Sequence, residues 1–172
     1  MKQFTEKIIH GITRRGRRII QSRRDRQALP VIRAWHLTPE EELERQRISV
    51  FPSNMRVSIL TPLYNTPEPF LRELLDSVQA QTCGNWELCL ADGSDESHAY
   101  VGELCRSYAQ KDARIRYRKL EENGGIVGNT NACVGMASGD YLALLDHDDL
   151  LHPSAIYEVM TAIEDGADFI YT

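Results

Sequence analysis

The sequence predicts an α/β domain: a mostly parallel sheet flanked by helices. Three observations carry this reading. From Arg56 onward, apolar runs of strand length alternate with segments whose apolar residues recur at helical spacing. Strands spaced by helices imply βαβ units and parallel pairing. The apolar runs end in turns rich in Asp, Asn, Gly or Pro, at the strand ends where open parallel sheets bind ligands.

Val57-Ser58-Ile59-Leu60-Thr61 reads as the first strand, followed by the turn Pro62 to Pro67. A helix follows, with Phe70, Leu71, Leu74, Leu75 and Val78 on one face. Trp86 to Ala91 is a second apolar strand, ended by Asp92-Gly93-Ser94-Asp95. Val101, Leu104, Cys105 and Tyr108 return to helical spacing, and Ile115 and Tyr117 mark a shorter strand. Asn123-Gly124-Gly125 precedes a helix expected to run through Ala137. Tyr141 to Leu145 is too short for most helices and reads as a buried central strand. His152-Pro153 opens a last helix that Gly166 stops, and a further strand is expected over 168–172.

Two segments precede this domain. Residues 1–34 hold ten Lys and Arg against Glu6 and Asp25, with Phe4, Ile8 and Ile12 recurring every fourth position. Either a helix lying on an anionic membrane surface or a solvated tail fits that pattern. Residues 35–55 form a helical lead-in, with Thr38 as N-cap, Pro39 at the first helical position and acids 40–42 complementing the dipole.

Composition excludes several classes. The chain has 172 residues, 42% hydrophobic and 26% charged, as expected of a globular protein. Its net charge of −5 divides into +6 over residues 1–50 and −11 over 51–172. An acidic body lacks the basic footprint of nucleic-acid binding. The four cysteines form no CxxC pair and have no His at zinc-ligand spacing, so they read as reduced, buried thiols of a cytoplasmic protein. No run of about 18 apolar residues marks a membrane span, and no signal-peptide core follows the N-terminal charges.

The sharpest motif is Asp146-His147-Asp148-Asp149, directly after the fourth strand. Carboxylates this close repel and are costly to desolvate. A bound Mg²⁺ or Mn²⁺ offsets the repulsion and keeps positions open for substrate phosphates. The rival reading is an acidic loop in which Asp149 caps the next helix. Asp92-Gly93-Ser94 is also good chemistry for an Asx turn. Thr61 to Asn65 could line a base or ribose pocket through its backbone. Asn123 to Asn131 is Gly-rich before a helix, yet it lacks the Lys-Ser/Thr ending of a P-loop and the GxGxxG spacing of a dinucleotide fold.

In this order the four pieces resemble the family 2 glycosyltransferases. The resemblance runs from about Arg56 to Thr172, and Asp146 to Asp149 is similar to the family's DxD motif. It implies a Rossmann-like GT-A nucleotide-diphospho-sugar transferase fold, C-terminally incomplete. It further implies a nucleotide-sugar donor walled by Thr61, Pro62 and Tyr64, with Asp92 holding the base and Asn131 in the segment bordering the donor. Asp146 would contact the ribose side, and Asp148 with Asp146 would hold a divalent metal, Mn²⁺ or Mg²⁺. The implied reaction is inverting transfer to a glycan or lipid-linked acceptor in polysaccharide or cell-surface glycan synthesis. The implied location is the cytoplasm; the membrane-surface reading of residues 1–34, one of the two left open above, would place the chain at the inner face of the plasma membrane.

Two departures stand out. Many members carry two acids before the Gly-Ser, whereas Ala91 precedes a single one here. No residue matches the carboxylate general base, so the 172-residue chain alone is expected to bind donor weakly and transfer nothing. A non-catalytic nucleotide-binding remnant is the alternative. A nucleotidyltransferase is disfavoured, because the turn after the first strand has no Gly, Lys or Arg.

Overall fold

The computed structural model describes residues 38–170. The basic segment 1–34 therefore lies outside the described residues. Strands β1 (Val57–Leu63), β2 (Trp86–Asp92), β3 (Ile115–Lys119) and β4 (Tyr141–Leu144) form one parallel sheet in the order β3-β2-β1-β4. Helices α1 (Glu40–Arg47), α2 (Glu68–Gln79), α3 (Tyr100–Ala109), α4 (Gly125–Val134) and α5 (Ala155–Glu164) surround it.

Strand alternation explains the two layers. Val57, Ile59, Trp86, Leu88 and Leu90 face the main core, which α2, α3 and α5 cover with Leu71, Leu74, Leu75, Val101, Cys105, Ile156 and Met160. Leu60, Cys89 and Ala91 face the other way, onto Cys133 of α4 and Met136 beyond it. Both faces of β1 and β2 are thus covered, as a parallel sheet requires. Each buried Leu or Ile contributes about 1.5–3 kcal/mol relative to exposure.

At the N-terminal end of the strands, Glu87 sits 4% exposed on the α4 side of β2. It accepts hydrogen bonds from Ser58 Oγ at 2.6 Å, from Ser138 Oγ at 2.9 Å and from the Ser138 and Gly139 amides. Arg116 approaches it at 3.3 Å. Burial pushes this carboxyl up, but those donors outweigh burial and hold it at about 2. The network pins the turn that leads into β4.

The four cysteines are free thiols and all are buried. Burial first, then the Glu87 charge, pushes Cys89 up to about 11. Burial, then Asp92, pushes Cys105 up to about 12.

Four expectations need correction. Tyr141–Leu144 is the edge of the described sheet, not its centre, and Leu142 and Leu144 are 54% and 76% exposed, because β4 pairs only with β1 and α4 stops short of it. Residues 168–170 form no strand, and 171–172 lie outside the described residues. Helix α1 begins at Glu40 with Pro39 in the capping position, where the Pro39 carbonyl accepts the Glu42 and Leu43 amides. Helix α4 ends at Val134 rather than Ala137. Gly166 does end α5, with φ +86.

Candidate functional site

At the carboxyl ends of the strands, three loops close a cleft of about 290 Å³. Pro62, Leu63 and Tyr64 enter it from β1, and Asp146, His147 and Asp148 from the turn after β4. Asn123, Gly125, Ile126 and Asn129 close it from the start of α4. The loops are tied together locally. Leu63 O accepts the Gly93 amide at 3.0 Å and Asn129 Nδ2 at 3.3 Å. Asn129 Nδ2 also donates to Asn123 Oδ1 at 3.0 Å, and Asn129 Oδ1 accepts the Gly124 amide at 3.0 Å. This closeness needs Gly93, since a Cβ there would sit 2.8 Å from Asn129 Nδ2.

The turn after β4 carries the charge. Leu145 continues the β4 pairing by donating its amide to Leu60 O at 3.1 Å, which fixes the loop's departure point beside β1. The Asp149 amide closes the turn onto Asp146 O at 3.1 Å. Asp146 and Asp148 are exposed at the cleft, whereas Asp149 is half-buried. Burial, then the charges of Asp148 and Asp146, raises the Asp149 carboxyl above its ordinary value. Asp149 Oδ1 and His147 Nδ1 are buried without a protein partner. Asp149 caps no helix, because Ser154 holds the position before α5.

The expected site residues fall into two groups. Pro62, Tyr64, Asp146 and Asp148 share the cleft. Thr61 is fully buried on the main-core side of β1, so it can offer the cleft only backbone. Asp92 does not line the cleft, and Asn131 is exposed to solvent away from it. Asn129 lines it instead, one helical turn from Gly125, while Asn131 lies about 200° further round the helix. That spacing was readable in the sequence. Tyr117, which donates to Asp92, carries no motif signal, because that bond depends on the pairing of two strands.

No three His, Cys, Asp or Glu side chains among the described residues converge as a preformed metal cage. Two exposed carboxylates beside a cleft fit a different arrangement, in which Mg²⁺ or Mn²⁺ takes one or two carboxylates and fills its shell with water and phosphate oxygens.

Residues 58–172 match the glycosyl transferase family 2. The chain belongs to that family. It is 42% identical over 118 residues to the Sinorhizobium fredii protein y4gI, covering 67% of this chain and 13% of that protein. It is 32% identical over 106 residues to the O-antigen biosynthesis protein RfbC of Myxococcus xanthus, covering 62% and 8%. Among solved structures, the mannosyltransferase PcManGT of Pyrobaculum calidifontis, in complex with GDP-Man and Mn²⁺, superposes with a TM-score of 0.53 at 20% identity, covering 74% and 39%. The fold is thus that of GT-A glycosyltransferases. The chain spans a minor part of the length of each of these proteins. No helix among the described residues is long and apolar enough to cross a membrane.

Proposed function

We propose that this chain is the nucleotide-sugar-binding part of an inverting, metal-dependent family 2 glycosyltransferase acting in polysaccharide or cell-surface glycan synthesis. One observation carries the reading. Asp146 and Asp148 line the same cleft as Pro62 and Tyr64, at the ligand-binding ends of a parallel sheet. Pro62, Tyr64 and the backbone of Thr61 wall the nucleoside, and Asn129 takes the place expected of Asn131. Asp148 and Asp146 would hold the divalent ion. When bound, the ion supplies Lewis-acid neutralisation of the departing nucleoside diphosphate. The O-antigen relative supports the polysaccharide context, and the Mn²⁺ complex of PcManGT supports the metal. The basic residues 1–34 suit contact with an anionic inner membrane face, near a lipid-linked acceptor.

Calorimetry with UDP and GDP, with Mn²⁺ or with EDTA, tests this on the wild type and Asp148→Ala. Binding of one nucleotide that weakens at least tenfold on either change is expected. Binding that ignores both chelation and the substitution would remove the mechanism.

A further inference from the structure

We propose that Asn129 is a positioning residue for the nucleotide site, its side-chain amide fastening the start of α4 to the end of β1 so that two walls of the cleft keep their spacing. The proposal rests on the nucleotide-sugar reading above and gives a role to a residue which that reading only places beside the donor.

Asn129 sits one turn into α4, on the face it shares with Gly125. Asparagine is a poor helix former, yet this one is 2% exposed. A buried amide needs partners for its donors and for its acceptor. Asn129 finds them outside the body of its own helix. Nδ2 donates to Leu63 O at 3.3 Å and to Asn123 Oδ1 at 3.0 Å, and Oδ1 accepts the Gly124 amide at 3.0 Å. An apolar residue at 129 would take that partner from the Gly124 amide and one donor from Leu63 O.

These partners belong to the walls themselves. Leu63, Asn123 and Gly125 all line the cleft. Leu63 ends β1, directly before Tyr64. Asn123 Oδ1 also accepts the Gly125 amide at 3.0 Å, and Gly125 stands at φ +67, left-handed backbone that glycine adopts without strain. One side chain thus joins the β1 loop, the loop before α4 and the first turn of that helix. A shift of its amide would move one wall against the other.

Glycines let the chain close around the amide. A Cβ at Gly93 would sit 2.8 Å from Asn129 Nδ2, and one at Gly124 would sit 3.0 Å from Gly128 Cα and 3.6 Å from Asn129 Oδ1. The loop after β2 and the loop before α4 therefore approach the amide from two sides, and a side chain at 93 would push it from its bonds.

The test compares the wild-type chain with two variants that fail in different ways. Asn129→Asp keeps the shape and the acceptor but replaces the donor with a charged oxygen; Asn129→Ala removes the amide and adds no charge. UDP and GDP are titrated with Mn²⁺ well below the urea midpoint of each variant, and amide hydrogen exchange is followed over residues 63–65 and 123–126. Both variants should lose about tenfold in nucleotide affinity, and both segments should exchange faster while the amides of β2 stay protected. Loss in Asn129→Asp alone would be a charge effect, and loss in Asn129→Ala alone a cavity effect; either overturns the proposal. Unchanged exchange in the two segments overturns it as well, and that readout decides the matter even if the wild type binds neither nucleotide. Failure of the wild type to bind would count against the nucleotide-sugar reading alone.

Discussion

Replacing Glu87 by Gln isolates the buried network beneath β4. The carboxylate offers acceptors to Ser58 Oγ, the Ser138 amide and hydroxyl, and the Gly139 amide. Gln keeps one acceptor oxygen and puts an NH₂ group, with no acceptor, on the other side. Its geometry cannot serve all four donors, and the Arg116 pair at 3.3 Å loses its charge. The magnitude follows from linkage. A carboxyl held at about 2 against a reference of 4.5 gains stability on ionising in the fold. At about 1.4 kcal/mol per pKa unit, that is about 3 kcal/mol. The folded value is depressed, so the contribution is fully present above pH 4.5 and is lost as pH falls toward 2. Urea unfolding of both proteins at pH 7, 4 and 3 checks it. Glu87→Gln should be about 3 kcal/mol less stable at pH 7, with the gap narrowing at each lower pH. A gap under about 1 kcal/mol at pH 7, or one that does not change with pH, would refute the reasoning.

Two further outcomes are expected. Gly93→Ala places a Cβ 2.8 Å from Asn129 Nδ2 and 3.1 Å from Asn123 Cα, and should cost about 1–3 kcal/mol in urea unfolding by forcing the loops apart; a loss below about 0.5 kcal/mol would show that the loops yield freely. Ellman's reagent at pH 8 should label none of the four buried thiols in the native chain and all four in guanidinium, since Cys89 and Cys105 are pushed up to about 11 and about 12; prompt native labelling of two or more would contradict that burial.

Where both faces of a segment are committed, the sequence states its structure plainly. The short run of β2, apolar from Leu88 to Ala91 and bounded by turn residues, reads as a strand, and the spacing of Leu71, Leu74, Leu75 and Val78 reads as a helix. The run at Tyr141–Leu144 was apolar for the same apparent reason, yet half of it is exposed. An apolar edge and an apolar centre look alike along the chain, because what separates them is whether a neighbour pairs alongside. Helix starts were blurred similarly. Thr38, Pro39, Asp149, His152 and Ser154 all suit a helix beginning, and hydrogen bonds from other elements choose among them. Thr82, for example, donates its amide to Pro153 O at 2.9 Å, and Gln81 donates to His152 O at 2.7 Å.

The site was legible as far as its loops and less so as to which side chains face inward. Motif order placed Pro62, Tyr64, Asp146 and Asp148 at strand ends, and these residues meet in one cleft. The strand period already carried the sorting that motif reading passes over. Residues 86, 88, 90 and 92 share one face, so an acid at 92 follows Trp86 and the two leucines into the core, while 91 shares the α4 face with Leu60 and Cys89. The same count puts Tyr117 beside Leu90 in the parallel register, within reach of Asp92. An acid with an apolar parity needs a buried donor, and the only side-chain hydroxyl on β3 supplies it. The acids at 146 and 148, in contrast, leave the strand beyond its last paired residue, where parity no longer sends them into the core. The acids that outrun the pleat therefore reach the cleft, whereas the acid still within it turns into the core.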